Sequence, residues 1–153
     1  MRRSVSPAQV ISLFFVLVAA GCAQSGAAST YPHALIMASC APWDGPAIGL
    51  ILSAKPASCG KAADGPYLSI YIWRDLPTSG PKTIDFKESG DNGGASRCTG
   101  ANDCQRATTG RLIFTKYDQN GEVDGSYEFH FKDGSVEQGS FKAEWCHERV
   151  MCG

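Results

Sequence analysis

RLIFTKYDQNGEVDGSYEFHFKDGSVEQGSFKAEW, residues 111–145, is the stretch of sequence that decides the fold. Large apolar residues alternate with polar ones over 111–117, 125–131 and 135–145, and this period of two is typical of β-strands with one buried face. The connections between these runs contain the dipeptides Asn-Gly and Asp-Gly, which tight β-hairpin turns favour. The stretch therefore predicts two consecutive hairpins.

Shorter segments upstream carry the same strand signals. They comprise residues 34–40, 46–54, 66–74 and 83–87. We predict an all-β fold, a single small β-sandwich or barrel of about seven or eight antiparallel strands. Gly139 interrupts the last run, so we expect a β-bulge there that changes the register of Phe141, Ala143 and Trp145. Residues 88–109 have no apolar period and predict a long, variable loop.

The N-terminal residues precede this pattern and are different in kind. Arg2 and Arg3 are followed by an almost wholly apolar run at 11–20, which is too short to span a bilayer as a stable helix. Small residues come next and lead directly to Cys22. This order is typical of a cleaved export signal, so we expect the folded domain to lie outside the cytoplasm.

Residues 1–22 resemble the lipobox signal of bacterial lipoproteins. The resemblance implies that the signal, residues 1–21, is removed and that Cys22 carries acyl chains that anchor the protein in a membrane. Ala19 departs from the pattern, because leucine is usual at its position. Ala23 after the cysteine implies the outer membrane, facing the periplasm or the cell surface. The alternative is ordinary cleavage after Ala20, which would leave Cys22 as a thiol.

The predicted exported chain divides into two parts. Residues 22–32 form the lipidated cysteine and a flexible tether of small polar residues, and 33–153 form the β-rich domain. The full chain has a formal net charge of −1, and removal of Arg2 and Arg3 makes it more negative. A chain without a basic cluster is a poor partner for nucleic acid.

Seven cysteines occur in the chain, and six of them follow Cys22. They are Cys40, Cys59, Cys98, Cys104, Cys146 and Cys152. An even number in an oxidising compartment predicts three disulfides, and the lipid explains the seventh cysteine. Cys98 and Cys104 flank the turn-forming TGAND and are expected to pair. Either Cys40 pairs with Cys59 and Cys146 with Cys152, or a bond joins Cys40 to the C-terminal pair.

Catalytic and metal-binding motifs give little support to an enzyme. Ser58 and Lys61 match S-x-x-K, but the partner motifs of serine-lysine acylases are missing from the sequence. The cysteine spacings do not match those of structural zinc sites, and no cofactor motif is present. We therefore assign no catalytic residue, no metal ligand and no cofactor.

A binding face is the better functional hypothesis. If Leu68, Ile70 and Ile72 face the core, Tyr67, Tyr71 and Trp73 share the opposite face, where large amphipathic rings suit an envelope protein or a glycan. Trp43 is expected only to pack over a tight turn. The sequence thus favours a non-enzymatic envelope lipoprotein with a binding, structural or inhibitor-like domain.

The alternative function is a small periplasmic hydrolase or ligand carrier whose site assembles in three dimensions. A pocket that holds His130 or His147 beside a carboxylate would favour the enzyme. An exposed aromatic patch without a cleft would favour the binding domain.

Overall fold

Eight strands connected by turns make up the part of the chain that the computed structural model describes, residues 30–61, 63–100 and 102–153. They are β1 His33–Cys40, β2 Pro46–Ser53, β3 Tyr67–Ile72, β4 Lys82–Phe86, β5 Gly93–Gly100, β6 Asp103–Tyr117, β7 Val123–Phe131 and β8 Val136–Cys146. These residues contain no helix, and so none that is long and apolar enough to cross a membrane. The predicted signal, Cys22 and residues 23–29 of the predicted tether lie outside the described residues.

Seven of the strands close into a barrel in the order β6-β5-β3-β2-β1-β8-β7, with β7 pairing back onto β6. The eighth strand, β4, pairs with the C-terminal half of β6, beyond the part of β6 that pairs with β5. Neighbouring strands are antiparallel except β1 and β8, which are parallel. The all-β prediction is confirmed, and the barrel is closed, although β1 and β8 pair through only three residues of each strand.

The hairpin of β7 and β8 has a continuous register, so the predicted bulge at Gly139 is wrong. Gly139 pairs with Tyr127, and Phe141 pairs with Gly125. The register shifts instead within β6, once between Ala107 and Thr109 and once between Phe114 and Lys116. These shifts accompany a change of partner along the 15-residue β6. Its N-terminal part pairs with β5, and its C-terminal half pairs with β4.

The predicted loop 88–109 contains the whole of β5 and the start of β6, so this prediction is also wrong. Its residues lack an apolar alternation because the inward positions of β5 are occupied by Gly93, Ala95 and Arg97. Arg97 pairs with the fully buried Leu68 and lies with its guanidinium 4.4 Å from the centre of the Phe131 ring. A strand with small or charged residues at its inward positions shows no hydrophobic alternation, so the sequence pattern does not indicate it.

The core consists of the inward side chains of all eight strands, with aliphatic residues on β1, β2 and β3 and aromatic rings on β4, β6, β7 and β8. Leu68, Ile70 and Ile72 are fully buried, as their alternation predicts. Phe114 contacts the rings of Tyr117 and Phe141 edge to face, with centres 5.4 and 6.0 Å apart. The interior of the barrel is therefore occupied by side chains.

Three disulfides are present. Cys98 pairs with Cys104 across the hairpin of β5 and β6, as expected from the sequence. The other bonds join Cys40 to Cys152 and Cys59 to Cys146, which selects the alternative that connects Cys40 to the C-terminal pair. Together they fasten the connection between β2 and β3, and the segment after β8, to the barrel wall.

We call the end of the barrel where β1 begins the proximal end. It is closed by Tyr31 and a polar cluster of Arg97, Asp133, Ser135 and Glu137. Tyr31 is only 5% exposed and belongs to the core, so the folded part includes a residue assigned to the tether. Burial, followed by the nearby carboxylate of Glu137, raises the pKa of the Tyr31 hydroxyl to about 12. Hydrogen bonds from Ser135 and Arg97 lower the pKa of Asp133 to about 2. Tyr31 thus packs the segment before β1 against this end of the barrel.

Candidate functional site

The turn between β1 and β2 lies at the opposite, distal end of the barrel. The amide of Ala41 donates to the carbonyl of Gly45 at 2.8 Å, and the amide of Asp44 donates to the carbonyl of Ala41 at 3.0 Å. Asp44 adopts a positive φ of 62°, a conformation that aspartate tolerates in turns. The turn leaves Trp43 at its tip, 51% exposed.

Trp73, directly after β3, supports Trp43 from the side. Its indole Nε1 donates to the carbonyl of Gly90 at 3.1 Å, which fixes the ring. The two indoles meet edge to face with centres 6.2 Å apart, and the guanidinium of Arg74 lies 5.1 Å from the Trp43 ring centre. Two tryptophans and an arginine therefore form one contiguous cluster.

Tyr71 lies on the outer face of β3 beside this cluster. Its neighbours across the two adjoining strands are Gly49 on β2 and Gly94 on β5, neither of which has a side chain to cover the ring. The ring passes 3.5 Å from the position that a Cβ on Gly49 would occupy, and the residue remains 41% exposed. We call Trp43, Tyr71, Trp73 and Arg74 the distal surface.

The three residues of the predicted binding face do not form one patch, because Tyr67 lies at one end of β3 and Tyr71 and Trp73 lie at the other. Tyr67 begins β3 at the proximal end, where its hydroxyl lies 3.9 Å from the Sγ of Cys104, about 20 Å along the strand from Trp73. Trp43 and Arg74 are members that the sequence did not indicate. The signal that could have found Trp43 is the hairpin connection between two apolar runs, which places its tip beside the end of the next strand.

A second feature is a polar depression on the outer face of β4, β6, β7 and β8, called the outer groove below. Its volume is about 860 Å³, within the range of small-molecule sites. Two of its lining residues, Ser126 and Ser140, are small and lie directly opposite each other on β7 and β8. Longer polar side chains line the rest of the groove, namely Asp85, Lys87, Arg111, Glu128, His130 and Gln138.

Two ion pairs organise the rim of the outer groove. The Nε of Arg111 donates to Asp85 at 2.7 Å, and this contact raises the pKa of Arg111. On β7, the Nε2 of His130 lies 2.8 Å from a carboxylate oxygen of Glu128. All four side chains are about half exposed, so water screens both pairs.

The His130–Glu128 pair meets part of the expectation for a hydrolase, but a nucleophile is not aligned with it. Ser126 is four residues away on the same extended strand, about 13 Å from His130. Thr109 faces His130 from β6, yet among the described residues no hydrogen bond joins their side chains. A hydroxyl nucleophile is activated by direct contact with its base, and among the described residues the His130–Glu128 pair has no such contact with Ser126 or Thr109.

The remaining candidates for chemistry do not assemble into a site. Ser58 and Lys61 lie in a turn closed by an amide-to-carbonyl bond of 3.3 Å between them, and His147 is exposed in the segment after β8. Within residues 30–61, 63–100 and 102–153, no group of three or more His, Cys, Asp or Glu side chains could hold a metal ion.

Fold and site together define a disulfide-bonded, closed β-barrel domain with an aromatic cluster at one end and a polar groove on its side. No protein-family description, curated protein sequence or solved structure matches the chain.

Proposed function

We propose that this protein is an envelope lipoprotein, anchored through acyl chains on Cys22, whose barrel binds another envelope protein through the distal surface. The partner class includes a hydrolase that the domain would inhibit. The observation that carries this proposal is the exposed cluster of Trp43, Tyr71 and Arg74 at the end of the barrel opposite Tyr31.

The position of the distal surface follows from the direction of β1. Tyr31 is buried at the start of this strand, and the turn that holds Trp43 comes after its end. Eight residues of strand span about 26 Å. A tether that enters at the proximal end would therefore present the distal surface away from the membrane.

The composition of the distal surface supports a protein partner. Tryptophan, tyrosine and arginine are the residue types that contribute most to the energy of protein–protein interfaces. Met151, 95% exposed, adds apolar area at this end, because Cys152 ties its segment to Cys40 beside the turn. Trp73 is already fixed to Gly90, so its ring loses little conformational entropy on binding.

Replacing Trp43 and Tyr71 together with serine should abolish capture of the partner and lower the free energy of unfolding by about 2 kcal/mol, which leaves the barrel folded, because each ring is only about half buried. The measurement is chemical crosslinking in solubilised envelopes, followed by urea unfolding of each purified variant. Val136→Ser is a matched control, since Val136 is 45% exposed at the proximal end. Equal capture by the double variant and the wild type would contradict this surface.

Replacing Cys22 with serine should move the protein from the membrane fraction to the soluble fraction, since the acyl chains would have no thiol to bind. Membrane fractionation with immunoblotting measures this. Ala23→Ser changes the neighbouring residue and keeps the thiol, so that variant should remain in the membrane. A Cys22→Ser protein that stays membrane-bound would overturn the anchor and leave the distal surface untouched.

A further inference from the structure

We infer that the outer groove is a second binding site, for a neutral oligosaccharide, separate from the distal surface. The groove is centred on β7, which pairs with β6 on one side and with β8 on the other. Ser126 and Ser140 form its floor, Ile113 on β6 lies opposite Ser126, and Glu128 lies between Arg111 on one strand and Gln138 on the other.

The location of the groove argues against an extended peptide. Peptides that add to a sheet use free backbone donors and acceptors along a strand edge. In β7 both edges are occupied, by β6 on one side and by β8 on the other. At β7 only side chains are therefore offered to a ligand, and they project from a surface with a fixed spacing of about 5 Å between strands.

The charges around the groove favour a neutral ligand. Asp85 and Glu128 contribute two negative charges, and Lys87 and Arg111 contribute two positive ones. The Asp85–Arg111 contact brings two of these charges to 2.7 Å. A nucleic acid or another polyanion would meet as much repulsion as attraction here.

The functional groups around the groove match those of a sugar. Each hydroxyl of a saccharide both donates and accepts hydrogen bonds, and carboxylates, a guanidinium and an amide offer both roles around the rim. Arg111 uses its Nε on Asp85, and a guanidinium carries four further N–H donors. Ile113 offers an apolar contact for the carbon face of a ring, beside the hydroxyls of the floor.

The inference can be tested with chitotriose and maltotriose as probes, titrated calorimetrically into the full chain in a detergent without a sugar head group. We expect at least one of the two to bind. Ser140→Trp fills the floor and should weaken that binding by about tenfold or more, and Arg111→Ala should weaken it by a similar factor. Glu144→Trp, on the same face of β8 but outside the groove, should leave it unchanged.

The outcomes separate this site from the distal surface. Loss of Arg111 breaks an exposed ion pair that water screens, so this variant should remain folded, as its thermal transition will show. Trp43→Ser should bind the sugar like the wild type. If neither trisaccharide binds at millimolar concentration, or if Ser140→Trp and Arg111→Ala bind like the wild type, the inference is wrong whether or not the distal surface has a partner.

Discussion

Replacing Cys40, Cys59, Cys146 and Cys152 together with alanine should leave no folded domain at room temperature. The two disulfides are nested, because the bond between Cys59 and Cys146 lies inside the loop closed by Cys40 and Cys152. Closing the inner loop of roughly 90 residues stabilises the native state by about 4.5 kcal/mol through the entropy of the unfolded chain. The total stability of a domain is only about 5–15 kcal/mol.

The second bond of a nested pair contributes less than its sequence separation of 112 residues indicates. When Cys59 and Cys146 are already joined, closing Cys40 onto Cys152 restricts a loop of only about 27 residues, which corresponds to about 3.5 kcal/mol. Each bond removed alone should therefore cost about 3.5 kcal/mol, and both together about 8 kcal/mol. Urea unfolding followed by tryptophan fluorescence measures these values.

The hairpin disulfide provides the control for this series. Cys98 and Cys104 are six residues apart, so their replacement by alanine should cost only about 2 kcal/mol and leave the barrel folded. A quadruple variant that unfolds cooperatively near the wild-type midpoint would contradict the role given to the nested pair.

Replacing Gly93 with alanine should destabilise the barrel by about 4 kcal/mol or prevent its folding. A Cβ at this position would lie 1.9 Å from the carbonyl oxygen of Tyr71, and the φ of Gly93 is 149°, which side chains rarely permit. The obstruction is backbone in a paired strand, so no rotation of a side chain can relieve it. Thermal and urea unfolding of the variant measure the loss.

Gly100→Ala is the matched control for Gly93→Ala, because both residues belong to β5. No atom lies within 4 Å of a Cβ built on Gly100, so this substitution should change the free energy of unfolding by about 0.5 kcal/mol or less. Equal stability of the two variants would mean that β5 does not approach β3 as closely as described.

The strands with strict alternation were predictable from the sequence. Tyr127, Phe129 and Phe131 all point inward on β7, and Tyr71 points outward on β3, as their periods indicate. The strand β5 and the first half of β6 were not predictable, since Arg97 occupies an inward position that only the polar cluster at the proximal end makes tolerable. The local sequence around Arg97 does not indicate its ion-pair partner Asp133, which lies 36 residues further along the chain.

The candidate site was predictable only in part for a related reason. Tyr71 could be assigned to the outer face, but its exposure depends on Gly49 and Gly94, which belong to two other strands. The outer groove depends on Ser126 facing Ser140 across a hairpin whose register the sequence left open. Both features depend on which strands pair and in which register, so the sequence of a single strand does not reveal them.

The parallel contact between β1 and β8 has a consequence for the order in which this protein can fold. The strand β1 must wait for β8 before its second edge is covered, with residues 41–135 of the chain between them. Contacts of such long sequence separation form slowly, and an uncovered strand edge can pair with other chains meanwhile. We therefore expect the native state to form slowly and in a single step. When β8 pairs with β1, the barrel closes, and Cys146 and Cys152 come within reach of Cys59 and Cys40.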